Sequence, residues 1–249
     1  MMMQGVLVTG ASRGIGRATA IQLAREGWFV FIHYNINAAM AESVLNTLIQ
    51  QGGRGMVLQA DLSEEKQIEA LFSAIDEAGV PLGAVVNNAG TLYTQTRVEQ
   101  LTAERINKVL TLNVTAPFIV CREAVKRMAK KHGGAGGAIV NVSSAAARTG
   151  APGEYVDYAA SKGALDTLTT GLSKEVAREG IRVNGVRPGF IKTDIHAQGG
   201  EPNRVERLKD KIPLGRGGEP EEVAEAIAWL ISEKAAYCTG SVIDLAGGV

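Results

Sequence analysis

The sequence predicts an α/β protein of 249 residues folded as one domain, a doubly wound parallel sheet of about seven strands with helices on both faces. Two observations predict it. Short apolar runs alternate with stretches whose apolar residues recur at helical spacing, the texture of strands buried on both faces and of helices that cover them. The glycine-rich and polar motifs follow those runs, at the carboxyl ends of the predicted strands, where an open parallel sheet binds its ligands. With 45% apolar and 21% charged residues, and 26 basic against 26 acidic side chains, the composition is that of an ordinary soluble protein and points to neither nucleic acid nor membrane as a partner. Cys121 and Cys238 lie far apart without CxxC or histidine spacing, which argues for free buried thiols and against a disulfide framework or metal site.

The first strand is expected over residues 5–9, in an apolar opening run, 1–8, that lacks the basic start and cleavage site of a secretory leader. No later run reaches membrane-spanning length, so the expected location is the cytoplasm. The turn Thr9-Gly10-Ala11-Ser12-Arg13-Gly14-Ile15-Gly16 joins this strand to a helix beginning near Ile15. Its glycines are spaced GxxxGxG rather than GxGxxG, but the physics is shared: glycines permit a tight turn and close backbone approach, and the helix N-terminus offers N–H groups to a pyrophosphate. Gly10, Ser12, Arg13, Gly14, Ile15 and Gly16 are therefore candidate coenzyme contacts; the competing reading is a purely structural turn. The second strand, 28–33, ends His33-Tyr34-Asn35 with no carboxylate to bind a free adenosine ribose. Arg13 would pair with a 2′-phosphate unless it is simply a solvated charge, and Tyr34 sits at the same end, so NADP(H) is expected ahead of NAD(H).

A helix from about Ala38 leads to the third strand, 55–59, followed by Asp61-Leu62. That pair offers the adenine edge a side-chain oxygen and a backbone N–H, although Asp61 or Ser63 also suits the N-cap of the helix beginning near Glu64. The fourth strand, 84–87, runs into Asn87-Asn88-Ala89-Gly90, where amides can brace the sheet edge and small residues let a coenzyme lie flat; Asn87, Ala89 and Gly90 are candidate contacts. Asn113 stands within an apolar helical stretch from Ile106 to Cys121, in a helix beginning near Ala103, and is either a buried bracket or a functional polar group. The fifth strand, 138–143, ends at Ser143-Ser144, two hydroxyls that point opposite ways if still extended; a hydroxyl at this end would point toward the cleft, and the plain alternative is that one or both close a turn.

The helix beginning near Tyr155 carries Tyr158-Ala159-Ala160-Ser161-Lys162, which puts a phenol and an ammonium one turn apart on the same face. An ammonium beside a phenol stabilises the phenolate, which makes Tyr158 a candidate acid or base; the plain alternative is a pair on a solvated face. The sixth strand, 182–187, the helix near Glu219 and the last strand, 241–244, complete the sheet.

In this order TGASRGIG, NNAG, Asn113, Ser143-Ser144, YxxxK and Arg187-Pro188-Gly189 resemble the classical short-chain dehydrogenase/reductase family over essentially the whole chain, and within it bacterial glucose-1-dehydrogenase-like and 3-oxoacyl-carrier-protein reductase-like members. The resemblance implies a Rossmann-type fold and an NAD(P)(H)-dependent oxidoreductase acting on a secondary alcohol or carbonyl. It makes Tyr158 the acid/base, with Lys162 lowering its pKa and holding the nicotinamide ribose. Asn113 would anchor a relay water, and Ser144 would bind the substrate oxygen. Ser144 precedes Tyr158 by fourteen residues, one more than the family's commonest spacing, so Ser143 stays in contention; Tyr155 is no base because Ala159 follows four residues later. Pro188, Gly189, Ile191 and Thr193 are implied around the nicotinamide. Residues 194–212 are implied as a mobile substrate lid, whose Arg204, Arg207 and Lys209 read as a solvated face and whose His196 is a candidate substrate contact; Arg148, Glu154 and Tyr155 are further candidates for the pocket. A homotetramer is implied by analogy. The competing class, a catalytically silent NADP(H)-binding regulator or scaffold, is expected to have lost one of Asn113, Ser144, Tyr158 or Lys162, and none is missing. A third reading keeps the fold but does dehydratase or epimerase chemistry without net coenzyme turnover.

Overall fold

The computed structural model describes residues 3–249; Met1 and Met2 of the apolar opening run lie outside the described residues. The strands are β1 (Gly5–Val8), β2 (Phe29–Tyr34), β3 (Arg54–Gln59), β4 (Leu82–Asn87), β5 (Gly137–Val142), β6 (Ile181–Pro188) and β7 (Val242–Leu245). The helices are α1 (Gly14–Arg25), α2 (Ala38–Gln50), α3 (Glu65–Glu77), α4 (Ala103–Leu110), α5 (Ala116–Met128), α6 (Ala146–Thr149), α7 (Val156–Val176), α8 (Ile195–Gln198), α9 (Arg204–Leu208) and α10 (Pro220–Ile231). The seven strands pair in the order β3-β2-β1-β4-β5-β6-β7, all parallel. The chain winds outward from β1 to β3, then crosses back to lay β4 against the other side of β1. A crevice opens at that reversal, above the carboxyl ends of β1 and β4.

Alternation along each strand sorts the core into two layers. Val6 and Val8 of β1 face α1, α2 and α10 through Leu23, Val44 and Ile227, while Leu7 faces α3, α5 and α7 through Phe72, Val120 and Leu168. Every predicted strand is present, with ends within two residues of expectation, because a strand buried on both faces reads as an unbroken apolar run.

The helix expected across Ile106 to Cys121 is not one helix. It is α4, a π turn over Thr111–Thr115, and α5. Pro117 has no N–H to give the carbonyl four residues before it, that of Asn113, so the regular ladder cannot pass this point. The apolar periodicity runs through the break and conceals it. The short helices α6, α8 and α9 also escaped the sequence reading, since four or five residues carry no period.

Phe72 is fully buried on α3 beneath β1 and β4, with the Arg127 guanidinium 5.0 Å from its ring centre. Phe72→Ala is expected to destabilise the fold by about 3–5 kcal/mol, read as a lowered midpoint in urea unfolding.

Candidate active site

The glycine turn is shaped by contacts that exclude side chains. Gly10 and Gly14 adopt left-handed backbone, φ +63° and +54°, and a Cβ on Gly16 would strike the Gly10 carbonyl oxygen and lie 2.5 Å from Asn88 Nδ2. Thr9 Oγ1 accepts hydrogen bonds from the N–H groups of Asn88 (2.9 Å) and Ala89 (3.0 Å) and donates to the Val86 carbonyl (3.2 Å). Asn88 Nδ2 returns bonds to the carbonyls of Thr9 (2.8 Å) and Gly10 (3.1 Å). His33 completes the frame: Nδ1 accepts from Gly10 N–H and Nε2 donates to the Ala60 carbonyl, both at 3.0 Å. Burial lowers the His33 pKa to about 4, so the ring is neutral with its proton on Nε2. Asn88 braces the sheet edge as the amide pair suggested; sequence reading missed Thr9 and His33 in these roles, where the signal was a polar residue at an otherwise apolar strand end.

Beyond the turn, α1 has Arg13 at its N-cap position, makes no side-chain cap bond there and has no acid in its first turn. Its first N–H groups therefore face the crevice without a helical partner, a receptor suited to a phosphate. Arg13 is exposed, Ser12 and Tyr34 are half-buried nearby in the chain path, and Gly14 opposes Thr193, whose Cγ2 lies 3.3 Å from where a Gly14 Cβ would stand. At the end of β3 the N-cap reading of Asp61 fails: its Oδ1 accepts from Ser63 N–H (2.9 Å) and Oγ (2.7 Å), and Glu64 occupies the cap. Leu62 has its side chain in the core, leaving only its backbone for the crevice. The Asn87 amide turns inward to Asn141 Oδ1 (2.9 Å) and Cys121 Sγ (3.3 Å) and braces the sheet, leaving only its backbone for the crevice, while its neighbour Asn88 faces the turn. A dinucleotide fits this arm of the crevice, which is a glycine cradle that a Cβ would fill beside an uncapped helix end.

The other arm is a cleft of about 330 Å³. Ile15, Gly90, Pro188, Gly189, Ile191 and Thr193 line it next to the turn, and Ser144, Tyr158 and Lys162 line it further on. Gly189 lies so close to Ala246 that a Cβ would come within 2.7 Å of its Cα. Asn113 is fully buried and acts as a bracket: Oδ1 accepts from Thr91 N–H (2.8 Å) and Nδ2 donates to the Thr91 carbonyl (2.8 Å) and Ser161 Oγ (3.0 Å). Its side chain is committed, so any relay contact falls to its backbone. Ser143 Oγ donates to the Lys162 carbonyl at 3.0 Å, whereas Ser144 Oγ accepts from Ala146 N–H at 3.1 Å and turns its proton toward Tyr158 and the cleft. That geometry separates the two serines.

Lys162 is buried, with Nζ donating to the Val142 carbonyl at 2.8 Å and lying 5.5 Å from the Tyr158 ring centre. Burial lowers its pKa to about 8, against the raising effect of Asp166 one turn on, itself held by Arg187 at 2.9 Å. Tyr158 departs from the phenolate expected at neutral pH. Burial pushes it up to about 12, with the Ser144 hydroxyl pulling the other way, so it is a phenol with a proton to give. Glu154, Tyr155 and His196 line the cleft, while Arg148 stays exposed and pairs with Asp244 at 2.6 Å. Arg204 also lines it, buried rather than solvated as expected. Tyr155 Oη donates to the Gly199 carbonyl at 3.2 Å, tying the segment 194–212 to the loop before α7. Of the thiols, Cys121 is buried and Cys238 half-buried. No group of metal-binding side chains stands together among the described residues, and none of the helices described is long and apolar enough to cross a membrane.

Residues 10–249 match a family model described as enoyl-(acyl carrier protein) reductase. A chain from Escherichia coli (strain K12), the uncharacterized oxidoreductase YgfF, is 66% identical over 242 residues, 97% of this chain and 98% of that one. The chain is a short-chain dehydrogenase/reductase. Among other short-chain dehydrogenases/reductases, the glucose 1-dehydrogenase 2 of Bacillus subtilis (strain 168) is 35% identical across 98% of this chain and 93% of its own. The crystal structure of the angucycline C-6 ketoreductase LanV with bound NADP superposes with a TM-score of 0.90 at 34% identity, covering 98% of this chain and 95% of that one. The family's members are oxidoreductases that bind nicotinamide coenzymes and act on small carbonyl or alcohol substrates.

His33 makes stability pH-dependent. Its pKa falls from 6.5 in the unfolded chain to about 4 on folding, so within that window unfolding takes up a proton and stability drops as pH is lowered, by up to about 3 kcal/mol. Urea midpoints at pH 7 and pH 4.5 are expected to differ accordingly, and His33→Asn, which keeps an acceptor for Gly10, is expected to flatten the difference.

Proposed function

We propose that this chain catalyses reversible hydride transfer between a nicotinamide coenzyme, NADP(H) in preference to NAD(H), and a secondary alcohol or carbonyl carbon. The observation that carries the reading is the convergence of Tyr158, Ser144 and Lys162 on one cleft continuous with the glycine turn. The coenzyme, when bound across Gly10 to Gly16 and Pro188 to Thr193, supplies or accepts the hydride. In the reducing direction the Tyr158 phenol delivers a proton to the substrate oxygen while the Ser144 O–H donates to it, steadying developing negative charge. Lys162, anchored through Val142, supplies positive charge beside the phenol and a donor for the nicotinamide ribose. The backbone of Asn113, whose side chain braces Thr91 and Ser161, serves the proton relay to Lys162. In the oxidising direction the phenolate form of Tyr158 removes the hydroxyl proton.

The preference for NADP(H) draws on Arg13, exposed beside a β2 that ends without a carboxylate, and on the NADP held by the similar ketoreductase. Residues 194–212 serve as the substrate lid. The exposed Leu110 and Phe118, with a shallow apolar groove between α5 and α7, support a homotetramer, and the free thiols suit the cytoplasm.

Tyr158→Phe is expected to lower turnover at least a hundredfold while leaving coenzyme affinity within about threefold; near-normal turnover would assign the proton elsewhere. In fluorescence titrations NADPH is expected to bind more tightly than NADH, and Arg13→Ala to erase most of that gap by weakening NADPH alone; tighter NADH binding by the unaltered chain would reverse the preference.

A further inference from the structure

Tyr158 stands in the first turn of α7, where backbone N–H groups have no partner earlier in the helix and the coil frays unless something outside holds it. The approach to that turn offers little support. Tyr155, at the N-cap position, makes no side-chain cap bond, and the loop before it bends through left-handed backbone at Gly150, Ala151 and Gly153.

Two side chains grip the Tyr158 peptide instead, one at each of its polar groups. Ser161 Oγ donates to the Tyr158 carbonyl at 2.6 Å and accepts from Asn113, which binds Thr91. Asp157 Oδ1 accepts from the Tyr158 N–H at 3.0 Å. Arg105, in the first turn of α4, holds Asp157 in turn: its Nε donates to Oδ2 at 2.8 Å and its Nη2 to Oδ1 at 3.4 Å, while Nη1 donates to the Thr94 carbonyl at 2.7 Å. The two grips are parallel. Each runs from α4 or the π turn that follows it, by way of the chain leaving β4 at Thr94 or Thr91, to one side of the same peptide.

The second grip is an ion pair withdrawn from water, with 19% of the Arg105 side chain and 3% of the Asp157 side chain exposed, and neither residue lines the cleft. A buried pair of this kind adds little net stability, because desolvation offsets much of the attraction. What it fixes is direction: a guanidinium that meets both oxygens of a carboxylate allows it one orientation, and the carboxylate then sets the Tyr158 N–H. Direction is what proton delivery needs, since a misplacement of about 1 Å costs on the order of a hundredfold in rate.

We propose that Arg105 and Asp157 are a positioning pair for Tyr158, holding its backbone so that the phenol meets the substrate oxygen beside Ser144. This rests on the oxidoreductase reading above, and it makes two residues outside the cleft determinants of turnover and not of binding.

The test is steady-state reduction of ethyl acetoacetate and 2,3-butanedione by the full chain with NADPH, alongside NADPH titration and thermal midpoints. Asp157→Asn keeps an acceptor for the Tyr158 N–H but gives Arg105 no charge to pair with. Arg105→Lys keeps the charge without the fork and cannot reach Asp157 and Thr94 together. Asp157→Asn is expected to lower kcat about tenfold and Arg105→Lys about threefold or more, with the ketone KM and the NADPH Kd within about twofold. The isotope effect on kcat with NADPH deuterated at the transferred hydrogen is expected to be at least as large as in the unaltered chain, because the slowed step is the chemical one. The double variant is expected to lose no more than Asp157→Asn alone. Should Asp157→Asn fail to fold, the milder Arg105→Lys carries the test. Values of kcat within about twofold of the unaltered chain, whatever the change in midpoint, would make the pair structural only and overturn the inference while leaving the oxidoreductase reading standing. So would a lower kcat matched by an equal loss of NADPH affinity, or accompanied by a smaller isotope effect. An unaltered chain that binds neither NADPH nor NADH, or binds one and reduces neither ketone, sinks the oxidoreductase reading and the inference with it.

Discussion

The cleft depends on one hydroxyl at the point where the sheet reverses. Thr9 Oγ1 takes two backbone N–H groups from the chain leaving β4 and gives its proton to a third residue of that strand, and Asn88 answers by binding two carbonyls of the chain leaving β1. Two parallel strands diverging into different connections would otherwise leave these buried polar groups without partners, at about 1–3 kcal/mol each. The stitch fixes where the glycine turn runs. The absence of a side chain on Gly16 lets the turn pass against Asn88, and the start of α1 is thereby aimed into the crevice. His33 clamps the same turn from the β2 side, so three adjacent strands hold the loop.

On the far side of the cleft, burial outweighs attraction between neighbouring groups. Tyr158, Lys162 and Asp166 follow one another at one-turn intervals on α7, and from spacing alone the charges govern: the ammonium draws the proton from the phenol. In the folded protein desolvation opposes the charged form of both, raising the phenol and lowering the ammonium. The pair consequently sits closer to a neutral phenol beside a lysine near its titration point than to a phenolate beside a fixed cation. Asp166 moderates this by holding charge on Lys162, and it is itself pinned by Arg187 from the end of β6, the strand that leads into the loop Pro188 to Thr193.

What the sequence made legible were features that repeat or cluster: strands, because burial on both faces writes an apolar run, and the turn, because several glycines fall together after the first of them. What stayed hidden was mostly a matter of direction. Adjacent residues at a strand end point opposite ways, and nothing local says which way, so the opposite side-chain directions of Asn87 and Asn88 were not legible, and Ser143 and Ser144 were left undivided. Arg204 lies in a charge-dense stretch that reads as solvated, yet the rings of Tyr155 and Phe190, distant in sequence, cover it. His33 looked like part of a strand because it is one; its bonds to Gly10 and Ala60 exist only once three strands are assembled.

The π turn at Thr111–Thr115 places one more residue in the coil than an α-helix would hold, and so offsets α5 from α4 by about 100° of rotation. Asn113 reaches Thr91 and Ser161 because of that offset, while Val120, Ala124 and Met128 still meet the sheet. The position of Asn113 therefore depends on a single step of chain length. A lineage that dropped one residue here would turn Asn113 by about 100° away from Thr91 and Ser161 and lose that bracket, while Pro117 would still interrupt the ladder and the apolar face of α5 would have to find a new register on the sheet.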